Sequence, residues 1–164
     1  LEKGGGHAMA AGLTVRRERL ADLSAFLDTA LAAQVEVARA ENELKIDGAL
    51  TASAASTDLV HALEQAGPFG AGHPEPVFAL PSHRVSYADT VGKGHVRLTL
   101  ADGGGGSLKA IAFKAADTPL GKMLLEKRGD PLHVAGCLSL DTWQGRERVQ
   151  FRVLDAADPR LSRM

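Results

Sequence analysis

A chain of 164 residues, 45% hydrophobic and 24% charged, can bury a core and has room for one domain or two small ones. No run approaches the roughly 20 apolar residues of a membrane span and no basic-then-apolar leader opens the sequence, so a cytoplasmic protein is the expectation. The net charge of −1 excludes a uniformly basic nucleic-acid binder, but residues 1–76 carry 6 Lys and Arg against 11 Asp and Glu, while residues 77–164 carry 13 against 9. Polyanion contact is therefore expected in the second half, beside whatever the N-terminal glycines do. A lone Cys137 rules out an internal disulfide and cysteine-based metal sites, and its apolar surroundings predict a reduced, buried thiol.

In chain order, residues 4–12 read Gly-Gly-Gly-His-Ala-Met-Ala-Ala-Gly, whose bare glycine N–H groups beside an imidazole suit a phosphate. Leu20, Leu23, Leu27 and Leu31 then recur at helical spacing and predict an amphipathic helix that packs on something. Alternation over residues 43–50 predicts a strand, and Ser56 or Thr57 caps a second helix carrying Leu59, Val60 and Leu63. Residues 67–76, Gly-Pro-Phe-Gly-Ala-Gly-His-Pro-Glu-Pro, hold three glycines and three prolines and mark the domain boundary.

Beyond that boundary the pattern is one of short strands: 77–87, 96–100, 108–113, one around 134–140 and one around 148–153, with a short helix over 120–127 between the third and fourth. Five strands with that helix placement is the order of an OB-type barrel. The expected fold is thus α+β, an α/β piece over 1–66, a Gly/Pro-rich linker over 67–76, a five-stranded OB-type β-barrel over 77–158 and a tail over 159–164. Tyr87 and Phe113 are expected in the core.

Two stretches together resemble the RecJ family of single-stranded-DNA exonucleases: the glycine-His run is similar to the GGHxxAAG motif of DHHA1 domains, and residues 68–78 resemble that family's PFGxGNPEPxF linker, with His73 where Asn is usual. The resemblance implies the end of a DHHA1 domain followed by an OB domain, from a DNA repair and recombination enzyme cutting 5′ to 3′ with Mn²⁺ or Mg²⁺ in a DHH domain. No Asp-His-His signature occurs here, so the expectation is no catalytic residue, metal site or cofactor in this stretch and no hydrolysis by it alone. Gly5, Gly6 and His7 are carried over as substrate phosphate contacts, facing the DHH domain of the same chain.

From the residues themselves, Arg146, Arg148 and Arg152 alternate with Val149, Phe151 and Val153, which sets a basic strand face for single-stranded DNA; Arg97 and Lys109 extend it and Trp143 can stack on a base. The other five histidines lack ligand spacing and are read as structural. Competing readings are an OB module that docks a protein partner, or a different DHH-family phosphoesterase acting on short nucleotides.

Overall fold

A computed structural model of the chain describes residues 2–7, 10–40, 43–143 and 145–160, with the side chains of 39, 40 and 143 left aside. Two compact units divide it, Leu1–Leu44 and Lys45–Met164.

In the first unit the glycine-rich run forms extended strands. Strand β1 (Lys3–His7) pairs antiparallel with β2 (Ala10–Thr14), placing Gly5 opposite Gly12, Gly6 opposite Ala11 and His7 opposite Ala10. A Cβ on Gly6 would come within 2.7 Å of the Ala10 carbonyl oxygen and the Ala11 Cα, so this glycine permits close strand approach. After a 3-10 turn at Arg17–Arg19, helix α1 runs over Leu20–Ala40. Its apolar stripe is present, but Leu20, Phe26, Leu31 and Val37 are all exposed, and no described residue of this unit is buried.

The second unit is the barrel. Strands β4 (Phe78–Val91), β5 (His95–Ala101), β6 (Ser107–Ala112), β7 (Pro131–Trp143) and β8 (Arg146–Ala157) pair in the order β4-β5-β6-β8-β7. Pairing of β4 with β7, from Phe78 opposite Gly136 to Arg84 opposite Pro131, closes the ring into a five-stranded OB-type barrel. Every neighbouring pair is antiparallel except β6 with β8. Period-two alternation sends Val96, Leu98 and Leu100 of β5, Leu108, Ala110 and Ala112 of β6, and Phe151 and Val153 of β8 inward, all of them buried. Each large side chain taken from water there contributes about 1.5–3 kcal/mol.

Helix α3 (Pro119–Glu126), between β6 and β7, starts where the Thr118 hydroxyl accepts the Gly121 N–H, with Pro119 preset for the first turn, and it delivers fully buried Leu124 to the core. Gly121 is required by contact: a Cβ there would lie 1.8 Å from the Ala115 carbonyl oxygen.

Residues 45–77 belong to the same compact unit as the barrel, so the division falls at 44/45, upstream of the Gly/Pro-rich stretch. Hydrogen bonds and side-chain packing hold this segment down. Asp47 and Val77 exchange two hydrogen bonds of 2.8 Å each, β3 (Gly48–Ala49) pairs with the start of β4, and Leu50 N–H donates to Ala79 O at 2.9 Å. Buried His83 accepts the Ala52 N–H at Nε2 (2.9 Å), which makes Nδ1 the protonated nitrogen, facing Pro81 O at 3.0 Å. Helix α2 (Thr57–Glu64), capped by Ser56, presents Val60 and Leu63 beside Leu138 and Leu140 of the long β7–β8 hairpin.

The expected core positions of Tyr87 and Phe113 are corrected: they are 37% and 54% exposed. Register between β4 and β5 shifts between Val85 and Tyr87, and the extra residue reverses the phase of alternation, so Val85 and Ala88 point in and Tyr87 points out. Phe113 lies just past the last residue of β6. Cys137 is buried, and burial pushes its thiol up, which keeps it protonated and inert.

Candidate nucleic-acid interface

With Val96, Leu98 and Leu100 facing inward, alternation puts Arg97 and Thr99 of β5 on the outer side, Thr99 itself buried and bonded to Lys109, and by the same logic Lys109 and Ile111 of β6 lie there too. Register then sets rows across the barrel wall. One row runs Tyr87, Thr99, Lys109, Gln150; the next runs Asp89, Arg97, Ile111, Arg152. Ser86, Tyr87, Arg97, Thr99 and Lys109 line an open concavity of about 500 Å³.

Its side chains are held in place. Lys109 Nζ donates to Thr99 Oγ1 at 3.0 Å, Tyr87 Oη donates to Asp89 Oδ2 at 3.2 Å, and Asp89 lies 4.0 Å from Arg97 Nη2. The guanidinium carbons of Arg97 and Arg128 each sit 5.8 Å from the Tyr87 ring centroid. Exposed cation–π contacts of this kind are worth about 0.5–1 kcal/mol apiece, and they leave a fixed aromatic with cations around it. Arg128 belongs to the connection between α3 and β7, which is stitched to β4 at the bulge: Gly129 N–H donates to Val85 O at 2.8 Å, Val85 N–H to Asp130 O at 3.1 Å, and Arg84 Nη1 to Gly129 O at 2.7 Å.

The structure brings together only part of the residue set read from the sequence. Arg97 and Lys109 share the concavity. Arg152 is two strands from Arg97 in the same row, with Ile111 between them, and its guanidinium is ion-paired with Glu75 of the Gly/Pro-rich connection. Arg146 and Arg148 are exposed on the outer arm of the β7–β8 hairpin, opposite Trp143 and Asp141 and beyond the residues of β8 that pair with β6. The Trp143 side chain lies outside the described residues. Gly5, Gly6 and His7 are exposed on β1, in the other unit.

Tyr87 and Arg128 were missed. Strict alternation from Val85 puts Tyr87 inside, and only the bulge reveals otherwise; Arg128 sits in an irregular connection with no periodicity to read. The five remaining histidines are all in local hydrogen bonds: His61 with Glu64 and Glu147, His73 with Ala66 O, His83 as above, His95 accepting Lys114 N–H, and His133 accepting Ser82 N–H.

Among the described residues no group of three or more His, Cys, Asp or Glu side chains is placed to hold a metal ion, and no helix is long and apolar enough to cross a membrane.

In five-stranded OB barrels, ligands run over the second and third strands, between the loop joining strands one and two and the loop joining strands four and five. Here those strands are β5 and β6, the strands that carry Arg97, Thr99 and Lys109.

Comparison with known proteins agrees with the barrel fold. The family model described as the RecJ OB domain matches residues 46–155. The single-stranded-DNA-specific exonuclease RecJ of Salmonella typhimurium is 32% identical over 117 residues, 71% of this chain and 20% of that protein. RecJ of Dickeya dadantii is 28% identical over 152 residues, 92% of this chain and 26% of that protein. The chain thus spans about a fifth to a quarter of the length of these relatives. Among solved structures, RecJ from Thermus thermophilus in complex with Mn²⁺ superposes with a TM-score of 0.56 at 24% identity, covering 96% of this chain and 22% of that one, a likeness of fold. With the family match extending over more than half of the sequence, the chain belongs to the RecJ OB-domain family.

Proposed function

We propose that this chain is the single-strand-binding C-terminal part of a RecJ-like 5′-to-3′ single-stranded-DNA exonuclease, a cytoplasmic enzyme of DNA repair and recombination. The observation that carries the reading is the concavity of Tyr87, Arg97, Thr99 and Lys109 on the β5–β6 face. Lys109 and Arg97 take backbone phosphates, and Tyr87, steadied by Arg97 and Arg128, stacks on a base. Stacking on one aromatic is worth about 1–3 kcal/mol and tolerates any sequence, while the phosphate contacts make binding salt-dependent.

In this reading residues 1–66 are the end of a DHHA1 domain, its last part from Lys45 packed in one compact unit with the barrel, 67–76 the connection and 77–158 the nucleic-acid-binding barrel. Gly5, Gly6 and His7 form one wall of a cleft whose other wall, a DHH domain of the parent chain, holds Mn²⁺ or Mg²⁺. Backbone donors and an imidazole near a phosphodiester orient it and stabilise developing charge. The chain described here grips the strand and does not cut it.

Fluorescence anisotropy with labelled single-stranded and duplex DNA at two salt concentrations tests the reading. The expected result is single-strand binding that weakens steeply with salt, with little duplex binding; no single-strand binding even at low salt contradicts it.

A further inference from the structure

We propose that the hollow beside Phe113 is a second nucleobase site on the same barrel wall, an inference that rests on the single-strand reading above. The hollow, of about 320 Å³, is lined by Phe113, Lys114, Leu120, Arg152 and Leu154 among others. Phe113 is the most exposed aromatic of the barrel unit's described residues, and Leu154 beside it is also exposed.

The ring is fixed in place. It stands edge-on to His95, centroids 5.3 Å apart and planes at 79°, and the Nδ1 of His95 accepts the Lys114 N–H at 2.8 Å. Lys114 itself sits at φ 51°, a conformation uncommon outside glycine. A chain reversal held this way keeps an aromatic ring at the surface of a hollow whose lining also includes Lys114 and Arg152, the latter in exchangeable ion pairing with Glu75. An apolar ring flanked by cations is the chemistry that takes a base and the phosphate attached to it.

Its location makes it part of the same path. Arg152, on the rim of the hollow, lies opposite Ile111, which in turn lies opposite Arg97 of the first concavity. From Tyr87, opposite Thr99, to Phe113, the residue after the Ala112–Val96 pair, is two strands across and about four residues along, roughly 16 Å at sheet spacings. A strand lying obliquely across β5 and β6 therefore meets two aromatics in turn, and a short oligonucleotide reaches only one.

Oligothymidylates of about 2 nucleotides, too short to span roughly 16 Å, and about 12 nucleotides, within the range of OB-fold site sizes, test this by anisotropy on the full 164-residue chain. Phe113→Ala should weaken the longer oligonucleotide at least about fivefold and leave the shorter one unchanged, and Phe113→Trp should restore the longer one. A brominated thymidine analogue placed along the longer strand should also photocrosslink at Phe113. Unchanged affinity of Phe113→Ala for the longer strand, with Lys109→Glu still weakening both, overturns the second site and leaves the first standing; that result favours a protein ligand for the hollow. Absence of binding by the unaltered chain at either length overturns both readings together.

Discussion

Arg152, near the middle of the last barrel strand, holds Glu75 of the Gly/Pro-rich connection in an ion pair, so the residue whose alternation marked it for DNA already has a carboxylate partner. The two side chains remain 42% and 38% exposed. Such a pair adds only about 0–1 kcal/mol to stability, which leaves it open to exchange.

Glu75→Gln should therefore release Arg152 toward phosphate. Single-strand affinity is expected to rise a few-fold and the salt dependence to steepen by about one phosphate contact. Anisotropy titrations over a salt series measure both. An affinity that falls while the melting temperature is unchanged would show that Arg152 serves only the connection.

Gly136 makes a second, purely structural prediction. A Cβ at that position would lie 2.1 Å from the Arg152 carbonyl oxygen and 2.8 Å from Cε1 of fully buried Phe151. Gly136→Ala should destabilise the barrel by about 1–3 kcal/mol through overpacking, read as a lower midpoint in urea. An unchanged midpoint would mean that β7 and β8 separate at low cost.

His61 bonds Glu64 of its own helix at 3.3 Å and links α2 to the hairpin through Glu147 at 3.2 Å, and these two carboxylates raise its pKa above the ordinary 6.5, Glu64 first. A raised histidine contributes stability that is fully present below its unfolded pKa and lost as pH rises through its folded pKa. The gap in melting temperature between the unaltered chain and His61→Asn should thus be open at about pH 5.5 and closed at about pH 8.5. A gap that widens with pH contradicts the assignment.

Much of the barrel was legible in the sequence because period-two alternation and caps are local signals. Ser56 caps α2, α3 falls over Pro119–Glu126, and the expected strands lie within the observed ones or extend a residue past them. What was not legible is what depends on long-range contact. The expected strand over 43–50 reduces to Gly48–Ala49 because only those two residues pair in register with β4, while Asp47 and Leu50 on either side make isolated hydrogen bonds to Val77 and Ala79. The bulge after Val85 changes which face Tyr87 occupies, and no composition rule announces a bulge.

The basic face was legible only in part. Arg97 and Lys109 come together because one register joins β5 to β6. Arg146, Arg148 and Arg152 alternate on β8 as read, but the length of the hairpin separates the first two from β6, and Glu75, 77 residues away in sequence, meets the third. The glycine run was read for its phosphate-binding groups with no secondary structure assigned, and the pairing of β1 with β2 that makes it an extended hairpin was not legible.

The proposed function has single-stranded DNA lying in the Tyr87, Arg97 and Lys109 concavity. It is tested most directly by low-salt anisotropy with the double variant Tyr87→Ala/Lys109→Glu beside Arg146→Glu, with melting curves confirming that each is folded. The expected result is a loss of at least about tenfold in the double variant, from one stacking contact and one phosphate contact, and a smaller loss for Arg146→Glu. Full affinity in the double variant, with loss in Arg146→Glu, would contradict it and move the strand to the β7–β8 hairpin.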